Sequence, residues 1–164
     1  MAELVLEREQ YLPRPIDEVF EFFAQAENLD YLTPPWLHFG IVTPRPIILQ
    51  QGAVIDYRIR WRWLPVRWRS VITAWDPPHG FVDEQVRGPY KFWHHTHSFV
   101  AKEEGTLMTD RVRYRLRCAP FSNFMQKRVA SDLELIFDYR RQRIADFYSA
   151  PIITPSAAKM LEGF

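Results

Sequence analysis

The sequence predicts an α+β fold in which a seven-stranded antiparallel sheet is covered on one face by a long C-terminal helix. Three observations predict it. Apolar residues recur with a period of two from about Leu37 to Leu116. The period changes to 3.6 after Pro120, and one strand with two short helices precedes both regions. An open antiparallel sheet must bury its apolar face, and the helix after Pro120 is the only element long enough to cover it.

Residues 4–11 read as the first strand, ended by Pro13-Arg14-Pro15. Pro15 suits a helix start, Asp17 and Glu18 favour the positive end of its dipole, and Ile16, Val19, Phe20 and Phe23 share one face. Asn28 is placed to cap a second short helix through Leu32, which Pro34-Pro35 must stop. Strands are then predicted at 37–43, 53–63, 66–75, 80–87, 91–101 and 106–116. The breaks between them are Gly52, Leu64-Pro65, Pro77-Pro78-His79-Gly80, Gly88-Pro89 and Glu103-Glu104-Gly105, short enough to join antiparallel neighbours into a meander. In the last region Phe121, Met125, Val129, Leu133, Ile136, Phe137, Ile144 and Phe147 form an apolar stripe, with Lys127, Arg128, Glu134, Arg141 and Arg143 mostly off it. A helix of about 25 residues there would be roughly 40 Å long. Residues 1–150 are expected to form one domain, and 151–164 a tail without a defined element.

Composition narrows the function. The 47% hydrophobic and 25% charged content is that of a soluble globular chain. Lys+Arg 21 against Asp+Glu 20 provides no basic field, so a dedicated nucleic-acid binder is not expected. The single Cys118 excludes an internal disulfide and a cysteine-based zinc cluster, and no cationic helix end marks it as a reactive thiol. No apolar run approaches the roughly 20 residues of a membrane span, and the first residues carry no secretory signal, so stable membrane insertion is not expected and a cytoplasmic location is. The 15% aromatic content, with six Trp and twelve Phe, exceeds what a core of this size needs and points to a lined cavity.

A local run carries a resemblance: Trp75-Asp76-Pro77-Pro78, Phe81-Val82-Asp83-Glu84-Gln85, Gly88-Pro89-Tyr90, Trp93-His94-His95-Thr96-His97-Ser98-Phe99 and Thr109-Asp110. With the order of elements over residues 3–148, it resembles the helix-grip fold of the SRPBCC superfamily, which includes START lipid-transfer domains, the birch-pollen-allergen family and polyketide cyclases. Within it the run is similar to bacterial ligand-binding SRPBCC proteins. The resemblance implies a deep cavity between the curved sheet and the last helix, binding an apolar or amphipathic small molecule. It implies no single activity, because the fold hosts carriers, sensors and enzymes. No cofactor or resident metal is expected.

Strand parity assigns the cavity wall. Alternate side chains face opposite ways, so Ile55, Tyr57, Ile59, Trp61 and Trp63 share the inward face, and Asp56, Arg58, Arg60 and Arg62 the outward one. With Leu64-Pro65 as the turn, Trp61 lies opposite Trp68, Ile59 opposite Ser70 and Tyr57 opposite Ile72, leaving Arg67 and Arg69 outward. Trp93, His95, His97 and Phe99 are taken as inward because Trp93 and Phe99 are the larger apolar load. Met108, Asp110, Val112 and Tyr114 are inward on the next strand. With 102–105 as the turn, His97 lies opposite Asp110, His95 opposite Val112 and Trp93 opposite Tyr114; a two-residue slip would pair Asp110 with His95 instead, and either register sets an acid beside a histidine. Phe81, Asp83 and Gln85 are inward on the preceding strand, with Asp83 opposite His95. Asp83, Gln85, His95, His97 and Asp110 are therefore expected as one polar cluster among aromatic rings, the acids paired with the histidines because unpaired buried carboxylates cost several kcal/mol.

The predicted ligand wall comprises Tyr57, Ile59, Trp61, Trp68, Ile72, Phe81, Trp93, Phe99, Met108, Val112 and Tyr114 from the sheet, and Met125, Val129, Leu133, Ile136 and Phe137 from the helix. The polar cluster has four readings. It is a satisfied structural network, a means of orienting a ligand, an acid–base pair of His97 and Asp110 with His95 beside them, or a metal site using His95, His97 and an acid. No nucleophile, oxyanion hole or leaving group is evident, so ligand binding as carrier or sensor is preferred over a cyclase, dehydratase or hydrolase. Lipids, isoprenoids, quinones and aromatic polyketides all suit such a cavity. The arginines at 58, 60, 62, 67 and 69 read as a solvated outer face, the alternative being an anionic partner. A monomer or homodimer is expected. His94 is placed towards solvent, and His38 and His79 at strand ends or loops. The 121–125 segment and Trp36-Leu37-His38-Phe39 flank the predicted cavity mouth.

Overall fold

The computed structural model describes residues 3–117 and 122–149. The predicted tail from 151, Cys118 and Phe121 lie outside the described residues. The chain opens with β1 (Leu4–Leu12), whose Leu6 and Leu12 are buried while Val5 and Tyr11 face outward. Pro15 occupies the cap position of α1 (Ile16–Phe23), and Asp17 and Glu18 lie in its first turn. This helix buries Val19, Phe20, Phe22 and Phe23. The helix α2 (Asn28–Leu32) follows directly. Asn28 is its first residue and makes no cap; its Nδ2 instead donates to the Phe22 carbonyl at 2.7 Å, pinning α2 to the end of α1.

The strand predicted at 37–43 is largely absent. Pro35–Leu37 form a single 3-10 turn, and His38 then adopts a left-handed conformation (φ 44°). Only β2 (Gly40–Ile41) pairs with the sheet, and residues 42–53 run as irregular chain. The remaining strands are β3 (Val54–Trp61), β4 (Leu64–Asp76), β5 (Gly80–Arg87), β6 (Tyr90–Lys102) and β7 (Gly105–Leu116). They form one antiparallel sheet in the order β1-β7-β6-β5-β4-β3-β2. The helix α3 (Ser122–Ser149) completes the described chain. An α+β sheet gripping a long C-terminal helix is the predicted fold class.

One register differs from expectation. The β3–β4 hairpin turns at Arg62-Trp63, not at Leu64-Pro65, because Arg62 takes the positive φ (58°) that a tight turn requires. Trp61 therefore pairs with Leu64, Ile59 with Val66, Tyr57 with Trp68 and Ile55 with Ser70, so moving the turn by two residues shifts the pairing along β4 by four. An even shift preserves the faces, so Tyr57 and Trp68 remain inward. Trp63 does not: it sits in the turn and is 78% exposed. The β6–β7 pairs His97–Asp110, His95–Val112 and Trp93–Tyr114, and the β5–β6 pair Asp83–His95, match the expected register. The outer face carries exposed ion pairs such as Arg69–Asp56 and Arg113–Glu3, which contribute little individually.

The core has two apolar centres. One gathers α1, the C-terminal part of α3 and the ends of the central strands around Phe20, Phe23, Ile72, Phe99 and Ile144. The other gathers Leu6, Trp68, Trp93, Val112, Leu133 and Phe137. The helix α3 is tied to β1 by the Arg8–Asp138 ion pair (3.3 Å) and by Gln10 Nε2 donating to the Arg141 carbonyl at 3.1 Å. The Tyr31 hydroxyl donates to the Arg143 carbonyl at 3.3 Å, tying α3 to α2.

Two substitutions test this packing. Phe99 is 1% exposed, and Phe99→Ala is expected to lower unfolding free energy by about 3–5 kcal/mol in urea denaturation. Gly80 leaves no room for a Cβ against the His97 carbonyl. Gly80→Ala is expected to cost about 1–3 kcal/mol by the same measurement, through strain at the β5–β6 edge.

Candidate functional site

Between the two apolar centres the inner sheet face becomes polar. Along β6 the inward residues are Trp93, His95, His97 and Phe99, so the two histidines separate two aromatic anchors. Cross-strand neighbours bring Asp83 from β5 and Asp110 from β7 to either side of them. His95 Nε2 lies 3.1 Å from Asp110 Oδ1, and its Nδ1 lies 3.3 Å from Asp83 Oδ2. His97 Nε2 lies 3.1 Å from Asp83 Oδ2, and its Nδ1 lies 2.8 Å from Asp110 Oδ1. The two imidazole rings are 3.8 Å apart at their centroids. Each acid thus faces both histidines.

A fifth group arrives from the helix. Arg140 of α3 places Nε 3.4 Å from Asp110 Oδ2, with its guanidinium over the Phe23 ring at 5.6 Å. Sequence reasoning missed it, although the signal was present: 133, 137, 140, 144 and 148 follow one helical stripe. Leu133, Phe137, Ile144 and Tyr148 are buried on that stripe, and Arg140 sits among them. Gln85 does not join the cluster. Its amide exchanges hydrogen bonds with the Tyr90 backbone, donating from Nε2 at 2.8 Å and accepting at Oε1 at 3.1 Å, so it clamps the β5–β6 loop.

Two carboxylates against one guanidinium leave one negative charge, which favours the protonated form of His95. Burial opposes a charged His95, but its hydrogen bonds to Asp110 and Asp83 prevail and raise its pKa. Burial likewise opposes ionisation of Asp110, yet Arg140 and the two histidines hold its pKa well below the usual carboxylate range. Asp83 is lowered too, its burial outweighed by hydrogen bonds from His95 and His97.

The cluster forms one end of a cavity of about 190 Å³ between the sheet and α3. Of the predicted wall, Tyr57, Ile59, Trp68, Ile72, Phe81 and Trp93 line it from the sheet, and Leu133, Ile136 and Phe137 from the helix. Asp83, His95, His97 and Arg140 supply its titratable groups. Ser70 adds a second polar point, accepting from Trp68 Nε1 at 3.0 Å and lying 3.2 Å from the Tyr57 hydroxyl. Burial raises the Tyr57 pKa well above its usual value, so this phenol stays neutral.

Other predicted wall residues lie elsewhere. Phe99 and Val112 are wholly enclosed in the apolar core, and Tyr114 packs with the second apolar centre. Met108 and Asp110 lie behind the cluster, against a hollow of about 10 Å³ on the β1 side. Val129 packs on the second centre without reaching the cavity, and Met125 is exposed. Trp61 donates from Nε1 to Asp132 Oδ2 at 2.9 Å and lines a neighbouring groove with Trp36 and Arg62. Leu37 and Ile136 line both the groove and the cavity. Sequence reasoning also missed Phe22, Phe23, Leu32, Phe39 and Leu49 as cavity lining. Of these, only the helical phenylalanines had a periodic signal. His94 faces outward against Glu84 (2.6 Å).

Residues 12–138 match the family described as polyketide cyclase/dehydrase and lipid transport, and the chain belongs to that family. No curated protein sequence matches it. Among solved structures it is similar to the ZhuI aromatase/cyclase of Streptomyces, at 14% identity and a TM-score of 0.72 over 90% of this chain and 94% of the other. A protein from Arthrobacter aurescens aligns at 16% identity and 0.69, covering 91% and 88%. The major latex-like protein 151 of Panax ginseng aligns at 15% and 0.63, covering 89% and 97%. Identities this low establish the shared helix-grip fold alone. Among the described residues no helix is long and apolar enough to cross a membrane.

Arg140 and Asp110 are interdependent, with side chains 12% and 5% exposed. Asp110→Ala strands a buried guanidinium and is expected to destabilise the fold by about 3–5 kcal/mol. Arg140→Met combined with Asp110→Asn is expected to recover much of that loss in the same denaturation assay, since no uncompensated charge is left between them.

Proposed function

We propose that the chain is a carrier or sensor that binds a small apolar or amphipathic molecule in the sheet–helix cavity. The observation that carries this reading is the cavity itself, with apolar and aromatic walls and its titratable groups, Asp83, His95, His97 and Arg140, brought together in one cluster. An apolar body would lie against Tyr57, Ile59, Trp68, Leu133 and Ile136, and a polar end would meet the histidines. A volume of about 190 Å³ takes a ring system or a short chain, and a longer ligand would extend past Leu37 and Ile136 into the neighbouring groove. Lipid, isoprenoid, quinone and aromatic polyketide classes fit these terms. The family description, which joins lipid transport with cyclase and dehydrase chemistry, supports the same range. On this reading the protein works in the cytoplasm as a monomer or homodimer.

A second reading is favoured by one contact. His97 lies in the cavity wall with its Nδ1 2.8 Å from Asp110 Oδ1, an arrangement suited to moving a proton at a bound substrate. It makes the protein a cyclase, dehydratase or hydrolase. His97→Ala would then abolish turnover while leaving ligand affinity within a few-fold.

The test of the binding reading is displacement of an apolar solvatochromic fluorophore. Ile59→Trp, which fills the cavity from β3, is expected to weaken fluorophore binding about tenfold, equivalent to roughly 1.4 kcal/mol. Binding to the parent protein should respond little to salt. Unchanged affinity in Ile59→Trp, or a steep loss with salt, would overturn cavity binding in favour of the outer arginine face.

A further inference from the structure

Beyond small-molecule binding, we infer that Asp83, His95 and His97 form a site for a first-row divalent cation of the zinc type. One donor atom from each lies within 4.8 Å of the others. Asp83 Oδ2 is the shared vertex, 3.3 Å from His95 Nδ1 and 3.1 Å from His97 Nε2. Nitrogen and oxygen donors held about 2.0–2.1 Å from a tetrahedral zinc ion are about 3.3 Å from one another, so both edges already have the required length. Two imidazoles and one carboxylate also make a donor set of the borderline softness that zinc favours.

The surroundings are those of a supported metal site. His95 turns its remaining nitrogen to Asp110, hydrogen-bonding Oδ1 through Nε2 at 3.1 Å, and His97 brings Nδ1 to 2.8 Å from the same oxygen without hydrogen-bond alignment. Metal-ligating histidines are characteristically oriented in this way by a carboxylate bound to the opposite nitrogen. Asp110 is itself positioned by Arg140 Nε at 3.4 Å. The side chains of His95, His97 and Asp110 are 6%, 4% and 5% exposed, so their rotamers are held by packing. Asp83, His95 and His97 line the cavity, whereas Asp110 does not, so the fourth coordination position opens onto the cavity. A carbonyl, hydroxyl or carboxylate oxygen of a bound molecule, or water, would occupy it. The strand pattern His-x-His supplies the two nitrogens from one face of β6, and the neighbouring strand supplies the oxygen.

The deciding experiment is zinc binding to the full chain after chelator treatment, read by elemental analysis after gel filtration and by the visible absorption of the cobalt(II)-substituted protein. One zinc per chain and a four-coordinate cobalt spectrum are expected. Asp83→Asn and His97→Gln should each reduce bound zinc to background, and Asp110→Asn should weaken affinity by about 10–100-fold without abolishing binding. Circular dichroism of each variant separates loss of the site from loss of the fold. Zinc retained equally by folded Asp83→Asn and His97→Gln proteins, or no zinc bound by the parent chain, would overturn the site. Either failure leaves the fluorophore test of the cavity unaffected.

Discussion

The constraint on which this architecture depends is the placement of two carboxylates, Asp110 buried and Asp83 partly buried, on the inner face of a sheet. Asp83 and Asp110 occupy positions that strand parity would normally give to apolar side chains. Left unpartnered there, each would cost several kcal/mol. The compensation comes from three elements at once: His95 and His97 at alternate positions on β6 and Arg140 on α3. A one-residue slip of β6 against either neighbour would turn the histidines to the outer face. A displacement of α3 along the sheet would withdraw Arg140 from Asp110. The polar cluster therefore specifies strand register and helix position together, which general hydrophobic packing does less sharply.

The apolar core is arranged around that fixed point. Phe81 stacks on His97 with centroids 4.1 Å apart, and Phe137 approaches His95 edge-on at 5.5 Å. These rings shield the two histidines on the sides that do not face the cavity, strengthening the electrostatics within the cluster. Where these rings and the α3 stripe do not close against β3 and β4, the cavity remains. Its titratable groups come mainly from β5 and β6, and its aromatic wall from Tyr57, Trp68, Phe81 and Trp93 on four successive strands.

Much of this was legible in the sequence. The β6–β7 register followed from Glu103-Glu104-Gly105 as a turn and from period-two patterning on both sides. That alone put His97 opposite Asp110. The β3–β4 turn was less legible, because Leu64-Pro65 looks like the natural break while the chain actually reverses at Arg62 in a left-handed conformation. Parity located Gln85 on the correct strand face but not its rotamer, which is set by a loop backbone that periodicity does not describe. The contributions of Leu37, Phe39 and Leu49 to the cavity come from irregular chain, where no repeat marks an inward position. Arg140 was hidden for another reason: a charged residue on an apolar stripe reads as a boundary unless its partner across the sheet is already known.

The two ends of α3 are held very unequally. Ile144 and Tyr148 are buried against α1 and the sheet, while Phe124 and Met125 at the other end are exposed. The loosely held end lies on the same helix as Asp132, Leu135 and Ile136, which line the groove beside the cavity. Fraying of the first turns would expose little additional apolar surface, whereas displacing the far end would break the larger core. On the binding reading proposed above, exchange of a cavity occupant would be separated from global unfolding, because opening the loosely held turns leaves the core at the opposite end of the same helix intact.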